Sequence, residues 1–344
     1  MRKAMLVFMI LISVLTVIAC AKTNDKTIET TEVVVTEAPT TETSAEKIDI
    51  NVAALIGPTG MGMVELMEKN EAGETANRYN FELASTPDAL VGKVISGELD
   101  IIAVPTNLAL VLYNRTEGNI KLAAVNTLGV LYVLENGDEI QSVADLSGKT
   151  IHVSGKGAVP DFVAQTLIKD AGLVVDQTVT MDYALEHADL ATAMVSGDVK
   201  IGMLPQPHVT AALMRNPDLR VALDVTAEWR RVSGGSEELM MGAIIVQKAF
   251  AETHPEALNA FLDEYKASVA FVNQNVADAA GLIEKYGILP NAAIAEKAIP
   301  LSNIVYIDAI EAKPSLEAFF KILFDLEPKS VGGKLADEGF YYNR

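Results

Sequence analysis

The chain has 344 residues, half of them hydrophobic, with 46 acidic residues against 27 basic ones and a formal charge of −19. Such an excess of acid excludes nucleic acid as a partner, because phosphates call for Lys and Arg. Its single cysteine, Cys20, excludes an internal disulfide and a multi-cysteine metal site.

Met1-Arg2-Lys3 precede an apolar run over 4–19. The run is short for a membrane span and reads as a secretory signal, residues 1–19. Val17-Ile18-Ala19-Cys20 has the pattern of a lipobox, so Cys20 is expected to carry a lipid that anchors the chain outside the cytoplasm of a bacterium. Residues 20–47 are rich in Thr and Glu and read as a disordered tether with a reach of about 30 Å.

The folded body starts near Ile48. It is larger than one comfortable core, so two lobes are expected. Strands are predicted over 48–56, 81–84, 99–104 and 120–125, separated by a glycine turn at 57–62 and helices over 61–69, 87–96 and 106–113. Met63, Leu66 and Met67 carry the helical spacing of the first helix, and Thr86-Pro87 opens the second. This alternation implies a parallel sheet with right-handed crossovers.

An apolar strand over 128–135 and a turn at Gly137-Asp138 mark the first crossing to a second lobe. There the pattern repeats: strands over 150–154, 178–182, 200–204 and 220–223, helices over 160–171, 190–196 and 208–214. The chain leaves through 224–233 and rejoins the first lobe with a strand over 241–246. Lobe 1 is therefore placed at 48–130 plus 226–344 and lobe 2 at 131–225. The rest is helical. Leu258, Phe261, Leu262, Tyr265, Val269 and Val272 line one face of a long helix over 255–275, and Leu316, Phe319, Phe320 and Leu323 line another. These helices are expected to cover the first lobe and brace the hinge.

One stretch is nearly written twice. Ile95-Ser96-Gly97-Glu98-Leu99-Asp100-Ile101-Ile102-Ala103-Val104-Pro105 returns at Val195-Ser196-Gly197-Asp198-Val199-Lys200-Ile201-Gly202-Met203-Leu204-Pro205 without a gap. Each copy reads as a helix end, a glycine turn, a buried strand and a loop opened by proline. The pairing predicts two similar α/β lobes offering matching loops.

A lipobox, a Thr/Glu tether and two α/β lobes with two crossings resemble the solute-binding proteins of ABC importers. The turn at 57–62, the stretch 97–105 and Asp145-Leu146-Ser147-Gly148-Lys149-Thr150-Ile151 look like the nitrate/sulfonate/bicarbonate and thiamine-precursor group, whose second lobe opens with D-L-K-G-K-x-[IV]; Ser147 is the departure. The resemblance implies a type II periplasmic-binding-protein-like fold with two hinge crossings. It implies capture of a small solute between the lobes and delivery to a membrane permease and its ATPase. Catalysis, a cofactor and a metal are not implied, and a monomer is expected.

Ligands of such sheets sit beyond the carboxyl ends of the strands. That selects Gly57, Thr59, Gly60 and Met61 after the first strand, and Thr106 and Asn107 after the third. In the second lobe it selects Ser154, Lys156 and Gly157, then Gln206, stiffened between two prolines. Thr59 serves equally well as a plain helix cap. Trp229, beside the expected cleft, reads as hinge packing, with an aromatic wall for a planar ligand as the alternative. Neither glycine turn holds a cation other than Lys156, so an anion would rest on backbone N–H groups and hydroxyls, and a neutral or aromatic solute fits as well. His152, His187 and His208 lack metal-motif spacing, and no nucleophile–base pair is evident. The rival readings are an enzyme on the same fold and a surface receptor.

Overall fold

The computed structural model describes residues 47–233 and 238–344. The expected signal, Cys20 and all but the end of the tether lie outside the described residues. The first part of the chain forms β1 (Asp49–Leu55), α1 (Pro58–Met61), α2 (Val64–Glu71), β2 (Arg78–Ala84), α3 (Asp88–Ser96), β3 (Ile101–Pro105), α4 (Thr106–Arg115) and β4 (Ile120–Thr127). Then come β5 (Leu131–Asn136), β6 (Thr150–Val153), α5 (Val159–Asp170), β7 (Thr180–Asp182), α6 (His187–Ser196), β8 (Ile201–Pro205), α7 (His208–Arg215), β9 (Leu219–Asp224) and α8 (Val225–Val232). β10 (Gly242–Gln247), α9 (Lys248–Thr253), α10 (Pro255–Gln274), α11 (Val276–Lys285), α12 (Ala292–Ala298), β11 (Ile304–Asp308) and α13 (Ala309–Leu326) complete the elements that matter here.

The strands form two sheets, ordered β11-β4-β10-β3-β1-β2 and β7-β6-β8-β5-β9. Both belong to one compact unit. In the first, β1 runs parallel to β2 and β3 while β10 runs antiparallel to β3 and β4. In the second, β6 runs parallel to β7 and β8 while β5 runs antiparallel to β8 and β9. The orders superimpose: β2-β1-β3-β10-β4 against β7-β6-β8-β5-β9. The duplicated stretch supplies β3 and β8, which hold the same place in each sheet. Gly97 and Gly197 end α3 and α6 in the left-handed conformation, at φ 77° and 85°, which explains the shared Ser-Gly pair.

The sheets are parallel-rich, as the alternation implies, with β5 antiparallel in the second and β10 and the edge strand β11 antiparallel in the first. β5 and β10 are the strands that the crossings deliver. Each enters its sheet from the other lobe, and so runs against its neighbours.

Two local expectations change. The helix expected at 61–69 is split into α1 and α2. The Ser268 hydroxyl of α10 donates to Gly62 O at 2.7 Å and accepts from Leu66 N at 3.2 Å, satisfying the backbone at the break. A Cβ on Gly62 would stand 2.9 Å from the Tyr265 hydroxyl, so the close approach of α10 needs glycine there. The exit at 224–233 is a helix, α8, opened by the Asp224 side chain accepting from Thr226 N and Ala227 N. It packs on α5, β5 and β9. The return crossing therefore follows α8, and α8 goes with the second sheet.

The periodic helices bury the residues their spacing marks. Leu258, Phe261, Leu262, Tyr265, Val269 and Val272 of α10 are buried against one face of the first sheet. Leu316, Phe319, Phe320 and Leu323 of α13 join a core that continues into the second sheet through Val225, Trp229, Leu239 and Met240. Trp229 is 1 % exposed and meets Phe319 edge to face at 5.6 Å. Such a pair adds about 1 kcal/mol beyond the area it buries. The return crossing is thus braced by α13.

Candidate functional site

The carboxyl ends of β1 and β8 point at each other across the gap between the sheets. The loop Ile56-Gly57-Pro58-Thr59 follows β1, and Gln206-Pro207-His208 follows β8. Between them lies a cavity of about 160 Å³. Thr127, Val130, Met241 and Gly242, from the crossings and the strands beside them, form its floor, and His187 at the start of α6 closes one side. That volume is below the range typical of drug-sized ligands and suits a small metabolite.

Gln206 is 1 % exposed. Its Oε1 accepts from Thr210 Oγ1 at 2.7 Å and from Thr210 N at 3.3 Å, and its Nε2 has no partner. A buried amide nitrogen without an acceptor is costly, so the group is poised for something that supplies one.

His187 and His208 lie ring to ring at 5.6 Å. Burial holds His187 below the usual histidine range. Burial first, and the neighbouring His187 second, push His208 down to about 4. Both imidazoles are therefore neutral at pH 7. Ser154 Oγ hydrogen-bonds His187 Nδ1 and fixes that ring. In outline this is a nucleophile and a base, a pair the sequence did not reveal. Ser154 is 1 % exposed, and no carboxylate among the described residues hydrogen-bonds the imidazole. Nor do three His, Cys, Asp or Glu side chains gather as a metal site among those residues.

Of the residues selected from the sequence, Gly57, Thr59 and Gln206 line the cavity. Thr59 does not cap α1; its hydroxyl donates to Leu55 O at 3.2 Å. Gly60 is buried, with Leu55 O 2.7 Å from where its Cβ would be. Met61 is fully buried in the core between the first sheet and α10, because the α1 turn points it inward. Thr106 Oγ1 donates to Met240 O at 2.6 Å, and Asn107 Nδ2 to Ser330 O at 3.3 Å, so both tie the body together rather than face the cleft. Ser154 acts on the cavity through His187. Lys156 is exposed, with its ammonium 5.0 Å from the Tyr183 ring centre. Gly157 N donates to Asp161 Oδ2 at 2.8 Å. Trp229 packs in the core, as above, and is no wall of this cavity.

His187 and His208 entered the sequence reading only as weak metal candidates. The rule of carboxyl ends marks them too: His208 follows the loop after β8, and His187 the loop after β7.

Two similar α/β lobes around a double crossing, with a small cleft lined from both sides, define a protein that binds a solute rather than transforms one. The sequence profile of the ABC transporter phosphonate periplasmic substrate-binding proteins matches residues 70–289, more than half of the chain, and the chain belongs to that family. It is an extracytoplasmic solute-binding protein of an ABC importer, not an enzyme. Among the described residues no helix is long and apolar enough to cross a membrane.

Solved structures share the fold. An ABC transporter protein from Parabacteroides distasonis aligns with a TM-score of 0.73 and 24 % identity over 86 % of this chain and 99 % of that one. The periplasmic aliphatic sulphonate-binding protein of Escherichia coli aligns with a TM-score of 0.69 and 16 % identity, over 84 % and 96 %. The periplasmic nitrate-binding protein of Synechocystis aligns with a TM-score of 0.60 and 9 % identity, over 82 % of each. No curated protein matches the chain by sequence.

Proposed function

We propose that the chain works as a hinged clamp. A small solute enters between Gly57-Pro58-Thr59 of lobe 1 and Gln206-Pro207-His208 of lobe 2. The lobes rotate about the crossings at 128–130 and 238–241. A solute touching both loops favours the closed form by its differential contacts. The closed clamp then presents the solute to the permease and its ATPase. On this reading lobe 1 holds 48–128 and 241–344, with α8 assigned to lobe 2. The protein acts as a monomer, carried by a lipid on Cys20 at the end of a tether over 20–47.

The observation that carries the reading is a cavity lined by the loops after β1 and β8 alike, with Gln206, whose buried Nε2 has no partner, among its residues. Small-angle scattering of the full chain, with and without a small-molecule extract of the producing cells, tests it. A smaller radius of gyration with the extract supports a clamp; an unchanged radius with a retained small molecule removes the hinge motion. For the anchor, Cys20→Ser should move the chain from the membrane fraction to the soluble one.

A further inference from the structure

Relatives in this fold are named for anions, and the family profile for phosphonate. The cleft of this chain is built differently. Among the described residues that line it there is no Lys, Arg, Asp or Glu. Its two titratable groups, His187 and His208, are held neutral by burial. An anion there would lose its hydration without gaining a counter-charge.

Part of the backbone nearby is also spoken for. In lobe 1, the N–H groups of Gly60 and Met61 are both turned onto Gly57 O, at 3.0 Å. In lobe 2, the loop Ser154-Gly155-Lys156-Gly157 already gives one N–H to the protein's own carboxylate. Asp161, 4 % exposed, accepts from Gly157 N at 2.8 Å, from Gln165 Nε2 at 2.7 Å and from Tyr183 OH at 2.6 Å. A second negative charge at that loop would face Asp161 directly. Lys156, the one cation on these loops, lies outside the lining, over Tyr183.

Gln206 lines the cleft and its buried Nε2 has no partner, while Leu55, Pro58, Val130, Pro205 and Met241 make much of the remaining lining apolar. His187 and His208 are already in mutual contact, so no ring fits between them and a planar solute lies against one face only. Building on the clamp reading, we propose that the solute is an uncharged small molecule whose carbonyl-type oxygen gives Gln206 Nε2 the acceptor it lacks.

The test uses the full chain in detergent at pH 7.5 and three pairs of probes matched in shape but not charge. These are methylphosphonic diamide with methylphosphonate, methanesulfonamide with methanesulfonate, and benzamide with benzoate. Binding is read by calorimetry and by the shift in melting temperature. The expected result is at least tenfold tighter binding of a neutral member over its anion, and a loss of at least fivefold for that neutral probe in Gln206→Ala. A tenfold preference for any anion overturns the charge assignment and leaves solute capture standing. Unchanged affinity in Gln206→Ala removes that side chain as the donor. If no probe of either kind binds, the cleft is not the site, and the clamp reading falls with the proposal.

Discussion

Thr210 determines which half of the Gln206 amide is left without a partner. Its backbone N–H can only donate, so the amide atom facing it, 3.3 Å away, is the oxygen, and its hydroxyl adds a 2.7 Å bond to the same atom. The nitrogen is left buried without a partner, in a residue that lines the cavity. One residue on the first turn of α7 thus sets the orientation of an amide in a lining it does not itself belong to.

Thr210→Val should therefore weaken benzamide binding severalfold while costing only about 1 kcal/mol of stability, the worth of one hydrogen bond. Calorimetry and urea denaturation on the same preparation separate the two. A variant that loses stability but keeps its affinity would show that Gln206 is oriented without the Thr210 hydroxyl.

The lobes also touch outside the cleft. Tyr132 OH of β5 donates to Leu301 O, just after α12, at 3.1 Å, and α7 packs on α12. This bond belongs to the lobe arrangement described here. Tyr132→Phe removes it and keeps the ring, so the arrangement loses roughly 1 kcal/mol relative to a more open one. Affinity for a solute that needs both lobes should fall by about fivefold, a fall in proportion to that loss. Scattering should report a larger radius of gyration for the variant. An identical radius and affinity would mean that the α7–α12 packing alone sets the lobe angle.

Where the first crossing passes the start of α8, Gly129 meets Thr226. A Cβ on Gly129 would stand 2.1 Å from Thr226 Oγ1, a separation no structure tolerates. Gly129→Ala should destabilise the protein by roughly 1–3 kcal/mol through overpacking. Thr226→Ala opens the space, so the double variant should recover most of that loss. The measurement is a double-mutant cycle on urea midpoints. Simple additivity of the two changes would show that the crossing and α8 move apart without cost.

The sheets were legible in the sequence because their strands are short apolar runs bounded by glycine and proline, and the duplicated stretch announced their equivalence. The core faces of α10 and α13 were legible from helical spacing for the same reason. The antiparallel entry of β5 and β10 was not, since a strand's direction depends on where the chain comes from in space, not on its own residues. Gln206 and the Gly57–Thr59 loop were found because a proline-stiffened turn after a strand is a local feature. Thr106 and Asn107 occupy an equivalent loop, but their partners, Met240 and Ser330, lie more than a hundred residues away and claim both side chains. For Trp229 the sequence left hinge packing and an aromatic wall both open, because the ring that covers it, Phe319, comes from the far end of the chain. Asp161 is the reverse case, an ordinary first-turn acid by sequence whose three donors become visible only in space.

His208 gives the protein a specific weakness to acid. Its folded pKa is pushed down to about 4 from an ordinary 6.5 by burial and by His187. Between those values the unfolded chain binds a proton that the folded chain does not. The contribution of His208 to stability is thus whole above pH 6.5 and is lost as pH falls towards 4. At about 1.4 kcal/mol per unit, and discounted for a half-buried ring, the loss amounts to roughly 2 kcal/mol. Carboxylates titrate in the same range, so the comparison is with His208→Gln, which keeps a neutral polar side chain at every pH. Urea midpoints at pH 7.5, 5.5 and 4.5 should show the variant gaining on the parent as pH falls, with most of the gain below pH 6. Parallel curves for the two proteins would mean that the ring takes up its proton in the folded state, and that the cleft is wetter and more tolerant of charge than its lining implies.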